Sequence, residues 1–309
     1  MRIPTGSPRP TGRPRVGVIG AGRVGAVLAA ALREAGYPIS AVAGESTASR
    51  TRIETLLPGV RVDKPTAVAR SCDLLLLTVP DDMLANVAAM LSASGAIRSG
   101  QVVVHTAGKH GLGVLEPAAA CGARVLAMHP ALTFTGTERD LARLPGCVYG
   151  VTATADTRAL AERIAGDLDS SVMWVPESGR ALYHAALAHG ANHLVTLVAQ
   201  AMELLEEAGA SDPAATLRPL LAAALDNALA EGDAALTGPI VRGDVETVRA
   251  HLHDIAAHAP DTLESYVALA RATANRAVLD GRLLPIRAAK LTRVLDEAVA
   301  ADRPAGRAR

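Results

Sequence analysis

The glycine-rich stretch behind the first apolar run constrains this chain most. The sequence reads RVGVIGAGRVG from Arg15 to Gly25, with glycines in the spacing GxGxxG. The apolar run predicts a strand, and the residues after it predict a helix that ends at Gly36. In this setting the first glycine permits a tight turn, the second lets the backbone approach a pyrophosphate, and the third lets helix and strand pack closely. The alternative is a purely structural turn. We predict a dinucleotide cradle made of Gly20, Ala21, Gly22, Arg23, Val24 and Gly25.

The rest of the chain falls into two parts. Strand-like and helix-like segments alternate over residues 15–176, which predicts an α/β Rossmann-type, doubly wound parallel sheet. Residues 177–301 are almost wholly helical in pattern and predict an all-α C-terminal domain. Residues 1–14 and 302–309 are rich in arginine and proline and predict a flexible arm and a flexible tail.

Composition excludes several classes of function. The 309 residues carry 31 basic and 31 acidic side chains, so nothing predicts a nucleic-acid partner. No uncharged apolar run reaches the roughly 18–20 residues that span a bilayer, and no secretory signal precedes the first strand, so we expect a cytoplasmic protein without a membrane partner. The three cysteines have no paired spacing, and His251, Asp254 and His258 share a helix face without a further ligand set. We therefore expect no metal site.

The end of the second strand indicates which dinucleotide is bound. The segment GESTASR offers Glu45, which would bind the ribose hydroxyls of NAD(H), and Ser46 with Arg50, which would bind the extra phosphate of NADP(H). A serine at this place could equally cap the following helix. We favour NADP(H), with NAD(H) as the alternative.

Further candidate residues follow the next three strands. In doubly wound sheets, ligands bind at the carboxyl ends of the strands. From LLLLTVPDD we expect Thr78 and Val79 beside the nicotinamide. Pro80, and Thr106 from HTAGKHG, are also expected to contact the cofactor. His105 and His129, at the ends of neighbouring strands, are expected to contact the substrate.

Simpler roles for residues at this edge stay open. Asp81 or Asp82 would cap the helix that follows them, and His129, which precedes a proline, would be a hydrogen-bonded core histidine.

The helical domain offers a second group of candidates. On its first helix, His184 and Asn192 lie about 80° apart around the axis and two turns along. An imidazole titrates close to neutral pH and could protonate a substrate oxygen, while the Asn192 amide would orient that oxygen. In TGPIVRGD, Arg242 could clamp a carboxylate or form an ion pair with a helix, and Asp244 is expected to cap the next helix.

The segments VVVHTAGKHG, MHPALTF and TGPIVRGD resemble one bacterial family over about residues 16–276. Its members join a Rossmann-like domain to a C-terminal helical domain of unknown function, number 2520, and are relatives of ketopantoate and pyrroline-carboxylate reductases. The resemblance implies an NADP(H)-dependent reductase of a small 2-keto acid. Ketopantoate, in pantothenate synthesis, is the first candidate substrate. The resemblance also implies a homodimer that packs through the long helices.

The chain departs from the related reductases at one place. They carry a lysine one turn from an asparagine on the first helix of the helical domain, where the lysine protonates the nascent alkoxide. Here the only lysines are Lys64, Lys109 and Lys290. The proton donor is therefore His184 or His189, or Lys109 from the other wall. Reduction of a cyclic imine, hydride transfer between cofactors, and a non-catalytic dinucleotide-responsive regulator remain alternatives.

Overall fold

The computed structural model describes residues 12–302. The predicted flexible arm and tail lie outside this range except at residues 12–14 and 302. Arg13 is not free within the arm, because its guanidinium pairs with Asp167 at 2.9 Å and lies over the ring of Tyr37.

Strands and helices alternate as predicted over the first part of the chain. The strands are β1 (Val16–Ile19), β2 (Ile39–Ala43), β3 (Leu74–Leu77), β4 (Val102–His105), β5 (Arg124–Pro130), β6 (Val148–Ala153) and β7 (Ser171–Trp174). The helices among and after them are α1 (Arg23–Glu34), α2 (Thr47–Leu56), α3 (Pro65–Ser71), α4 (Asp81–Ala93), α5 (Glu116–Ala120), α6 (Glu138–Leu141), α7 (Arg158–Asp167) and α8 (Arg180–Leu187). The remaining helices are α9 (His193–Glu207), α10 (Pro213–Glu231), α11 (Pro239–Arg242), α12 (Val245–His258), α13 (Pro260–Leu279) and α14 (Pro285–Asp302).

The seven strands form one sheet in the order β2-β1-β3-β4-β5-β6-β7. The first five run parallel, whereas β6 is antiparallel to β5 and β7 follows the direction of β6. The sheet is thus mostly parallel, as predicted, with its last two strands running opposite to the first five. Residues 131–147 contain only the four-residue helix α6, and they lead the chain into β6 from the edge at which it left β5. The predicted Rossmann-type sheet followed by an all-α region is confirmed.

Helices cover both faces of the sheet. The leucines of β3 alternate between the two layers: Leu74 and Leu76 pack with α1, α2 and α7, and Leu75 and Leu77 pack with α3, α4 and α5. A strand buried on both faces explains why β3 is apolar at every position. The only tryptophan, Trp174, ends β7, and the Arg158 guanidinium lies 4.1 Å from its ring centre.

The chain forms two compact units, the first ending at Ala191 and the second beginning at Asn192. Helix α8, which the sequence assigns to the helical domain, thus belongs to the first unit. A π-helical turn, Ala188–Asn192, follows it.

The second unit is helical, and its core lies among α11, α12, α13 and α14. Asp244 caps α12 as predicted, since its carboxylate accepts a hydrogen bond from the Thr247 amide at 3.2 Å. Helix α10 leaves Leu225 and Leu229 at least half exposed. The expected homodimer stays a prediction. No helix within residues 12–302 is long and apolar enough to cross a membrane.

Candidate functional site

Two glycines of the loop between β1 and α1 are required by packing. Gly20 has a φ of +97°, and a Cβ there would overlap the backbone of Thr78 and Val79. At Gly25 a Cβ would overlap the Thr78 hydroxyl and the Gly20 carbonyl. The same hydroxyl donates a hydrogen bond to the Gly20 carbonyl at 2.7 Å, which fixes the loop against the end of β3.

Gly22 differs from these two glycines. Its φ of −77° suits any residue, and the only atom within 4 Å of an added Cβ is the Gly20 carbonyl oxygen at 3.8 Å. The packing of the protein therefore does not demand glycine here. A side chain would fill the open space at the N-terminus of α1, where the first-turn N–H groups lack helical partners and no acidic residue or side-chain cap is present. This terminus is suited to an anion such as a pyrophosphate.

A cleft of about 540 Å³ lies at the end of β2, and its lining includes Glu45, Arg50 and Lys64. The Ser46 hydroxyl accepts a hydrogen bond from the Ser49 amide at 3.1 Å, so Ser46 caps α2. Sequence reasoning missed Lys64, which a bridge between Val42 and the segment before α3 brings to this cleft.

The helix that follows β3, α4, does not begin with the predicted aspartate cap. Pro80 occupies the cap position of α4, and no side chain caps this helix. The interpretation of Asp81 or Asp82 as a capping residue is wrong, because the helix begins at Asp81 and both carboxylates lie within its first turn. They interact favourably there with the helix dipole. Val79 is half-buried beside Pro80.

His105 is fully buried at the end of β4. Its Nε2 is 2.8 Å from the Gly111 carbonyl, and its Nδ1 accepts a hydrogen bond from the Ala107 amide at 3.2 Å. Nε2 therefore carries the proton and donates to the carbonyl. Both ring nitrogens of His105 therefore contact the backbone of the loop after β4, and its predicted contact with the substrate stays a prediction. Burial lowers the pKa of His105 to about 4, so the ring is neutral near pH 7.

Helix α8 presents one face to this loop. Arg180, Tyr183 and His184 stand at positions i, i+3 and i+4, which share a helix face. Arg180 is 1% exposed, and it donates through Nε to the His110 carbonyl at 2.8 Å, through Nη2 to Ala107 at 2.7 Å and through Nη1 to Gly150 at 3.0 Å. These contacts account for the place of α8 in the first unit. Sequence reasoning assigned no role to Arg180 or Tyr183, although their spacing with His184 was the available signal.

His129, at the end of β5, and His184, on α8, come together in the structure. The His129 Nδ1 is 3.0 Å from the Tyr183 hydroxyl oxygen, and the His129 and His184 ring centres are 6.1 Å apart. A Cβ at Gly108 would overlap the His184 ring and would lie 3.2 Å from the His129 Nε2. Burial lowers the pKa of His129 to about 4, with smaller effects of the same sign from Arg180 and His184.

The remaining predicted site residues are half-buried or exposed. Thr106 is half-buried after β4, and Lys109 is exposed on the same loop. Asn192 and Arg242 are exposed side chains of the second unit. The 80° angle expected between His184 and Asn192 does not hold, because a π-helical turn replaces regular α-helix over residues 188–192.

Two family models match this chain. Residues 3–130 match the Rossmann-like domain, and residues 147–273 match the domain of unknown function DUF2520. No curated protein sequence matches the chain.

Solved structures share the fold. A Bacteroides fragilis protein described as a candidate NADP oxidoreductase has a TM-score of 0.74 at 23% identity, covering 85% of this chain and 98% of its own. Pyrroline carboxylate reductase of Plasmodium falciparum, with NADP bound, has a TM-score of 0.57 at 11% identity, covering 91% and 98%. An imine reductase from a Pseudomonas species has a TM-score of 0.57 at 17% identity, covering 94% of each chain. At these identities the likeness establishes the fold.

Proposed function

Because this chain belongs to the proteins that join a Rossmann-like domain to a DUF2520 domain, we propose that it is an NADP(H)-dependent reductase of a small 2-keto acid. Ketopantoate, reduced in pantothenate synthesis, is the first candidate substrate. The observation that carries the proposal is Gly22, a glycine that the protein's own packing does not require, at a helix N-terminus free of acidic residues.

The chain's own groups would hold the cofactor at the predicted positions. The N–H groups of the first turn of α1 bind the pyrophosphate, and Gly22 leaves room for it. Arg50, in the cleft after β2, binds the additional phosphate of NADP(H). When bound, the nicotinamide supplies the hydride for the carbonyl carbon.

Reduction of a carbonyl also needs a proton at its oxygen. His129 is a poor donor near pH 7 because its pKa lies near 4, which leaves the ring neutral. His184 lies next to His129 and is partly exposed, so a substrate can reach its ring. We assign His184 as the proton donor and keep Lys109 as the alternative. Asn192 and Arg242 remain sequence-based candidates for binding the substrate.

The assignment predicts a specific loss of turnover. With ketopantoate and NADPH, followed by the absorbance of the reduced nicotinamide, His184→Gln should lower kcat by about 10²–10³-fold, because general acid catalysis contributes on this scale. Binding of NADPH should not change. The matched variant Lys109→Met should keep near-normal kcat, and the reverse pattern would identify Lys109 as the donor.

A second candidate function is favoured by the solved structures of similar fold, which include a pyrroline carboxylate reductase and an imine reductase. The same assay with a cyclic imine decides between the two substrate classes. Tight NADPH binding without turnover of either substrate class would favour the dinucleotide-responsive regulator and contradict the reductase.

Cofactor preference is tested at Arg50. We expect Arg50→Glu to weaken NADPH binding at least tenfold, because the variant places a carboxylate where the extra phosphate binds, while NADH binding stays within about twofold. Titration of both cofactors by calorimetry measures this difference. Arg70→Glu, an equal change of charge on α3, should alter neither affinity. Equal losses for NADPH and NADH at Arg50 would exclude its predicted contact with the phosphate.

A further inference from the structure

Arg180 carries a positive charge in the interior of the protein. It is 1% exposed, and no carboxylate within residues 12–302 lies at ion-pair distance from its guanidinium. Glu177 and Asp81 act on it only from farther away. Burying a charge without a counter-ion is unfavourable, and carbonyl oxygens offset only part of the cost. A protein that needed only a structural link here could use a neutral donor.

The guanidinium joins α8 to two other segments. It binds the carbonyls of Ala107 and His110, on the loop after β4, and the carbonyl of Gly150 in β6. Gly150 is the register partner of His129 in β5. Arg180 therefore fixes the loop relative to the strand pair that carries His129.

Tyr183 completes the arrangement around the His129 ring. The tyrosine ring lies against Gly150, where a Cβ would overlap it, and its centre is 5.6 Å from the guanidinium carbon of Arg180. The Tyr183 hydroxyl is 3.0 Å from the His129 Nδ1, so it can donate its proton to that nitrogen.

We propose that Arg180 and Tyr183 are positioning residues that hold His129 as a neutral imidazole with its proton on Nε2, the nitrogen facing Gly108. Tyr183 fixes the tautomer by donating to Nδ1, and the charge of Arg180 opposes formation of the imidazolium. This inference rests on the proposed function only for its consequence in catalysis. A neutral Nε2–H polarises the substrate carbonyl by a hydrogen bond and leaves protonation to a different group.

The titratable groups that act on His129 are consistent with this charge state. On α8, the groups that act on His129 are Arg180, Tyr183 and His184. At the end of β4 it is His105, which is itself neutral. The negative groups, Glu177 and Asp81, influence Arg180 and are not among the groups that act on His129.

The test is NMR of the full chain with ¹⁵N-labelled histidine, compared with Tyr183→Phe. In the wild type, His129 should keep a protonated Nε2 and an unprotonated Nδ1 between about pH 5 and 8, a range in which an ordinary histidine changes charge. Tyr183→Phe should leave His129 neutral but give a mixture of both tautomers. With a substrate that the protein turns over, kcat should fall about tenfold while the KM for NADPH stays unchanged.

Arg180 is tested by two substitutions. Arg180→Lys keeps the charge and should keep His129 neutral, whereas Arg180→Met should raise the pH at which His129 becomes protonated. If Arg180→Met does not fold, Tyr183→Phe and Arg180→Lys still decide the proposal. A doubly protonated His129 in the wild type at pH 7, or an unchanged tautomer in Tyr183→Phe, would overturn it.

The chain contains a matched control. Tyr266 lies 2.9 Å from the Nδ1 of His251 in the second unit, so Tyr266→Phe makes the same exchange in another tyrosine–histidine pair. It should change the resonances of His251 and leave His129 and kcat unaltered. The NMR readout needs neither cofactor nor substrate, so absence of turnover with the expected tautomer would reject the reductase and retain the positioning role.

Discussion

Gly22→Ala is expected to fold as stably as the wild type and to lose at least tenfold in NADPH affinity. Its Cβ meets no protein atom closer than 3.8 Å, and its backbone angles suit alanine, so folding imposes no penalty beyond a few tenths of a kcal/mol at a helix cap. The added methyl instead occupies the space that the pyrophosphate needs. Urea unfolding and NADPH titration of the same preparation measure the two quantities.

Gly25→Ala supplies the contrasting result. Its Cβ would overlap the Thr78 hydroxyl and the Gly20 carbonyl, so we expect a loss of roughly 1–3 kcal/mol in the free energy of unfolding, typical of overpacking. Gly22→Ala with wild-type affinity for NADPH would show that the loop does not bind the pyrophosphate. A large loss of stability in Gly22→Ala would contradict the open space around this residue.

We also expect the free energy of unfolding to decrease strongly as the pH falls from about 6.5 to about 4. The pKa values of His105 and His129 are lowered to about 4 by burial, whereas the same rings titrate near 6.5 in the unfolded chain. In this window the unfolded state binds more protons, so the free energy of unfolding decreases as the pH falls. Each ring contributes on the order of 3 kcal/mol at most over the whole window.

Thermal unfolding of His129→Gln against pH tests this contribution. The variant should have a shallower dependence of Tm on pH between 6.5 and 4, whereas His253→Gln, an exposed change on α12, should follow the wild type. Asp73 contributes to stability in a lower pH range, because Arg15 and Arg98 lower its pKa to about 2. Its contribution is lost only below about pH 4. An unchanged slope in His129→Gln would contradict a buried neutral ring.

The sequence predicted those parts of the fold that depend on local pattern. The glycine loop, the buried strand β3 and the cap at Asp244 each follow from residues that are neighbours in the chain. The reversed direction of β6 could not be predicted in this way. An apolar strand has the same pattern whichever way it runs, and its direction depends on which edge of the sheet the preceding segment reaches.

In the candidate site, too, only the features that depend on local sequence pattern could be predicted. The rule that ligands bind at the carboxyl ends of strands singled out His129, which the structure brings together with Tyr183 and His184. It could not distinguish the role of His105, whose two nitrogens are occupied only because the loop after β4 turns back to present the Gly111 carbonyl. Arg180 was missed because arginine is usually a surface residue, and its burial depends on carbonyl groups from β6 and from this loop.

The placement of aromatic residues decides which optical signals can follow unfolding. Trp174, the sole tryptophan, belongs to β7 in the first unit. Three of the four tyrosines, Tyr37, Tyr149 and Tyr183, also lie there, and only Tyr266 lies in the second unit. Tryptophan emission therefore reports the state of the sheet-containing unit alone, while far-ultraviolet circular dichroism includes the helices of both. Superimposable denaturation curves from the two signals would mean that the units melt together, and separated curves would give each unit its own midpoint.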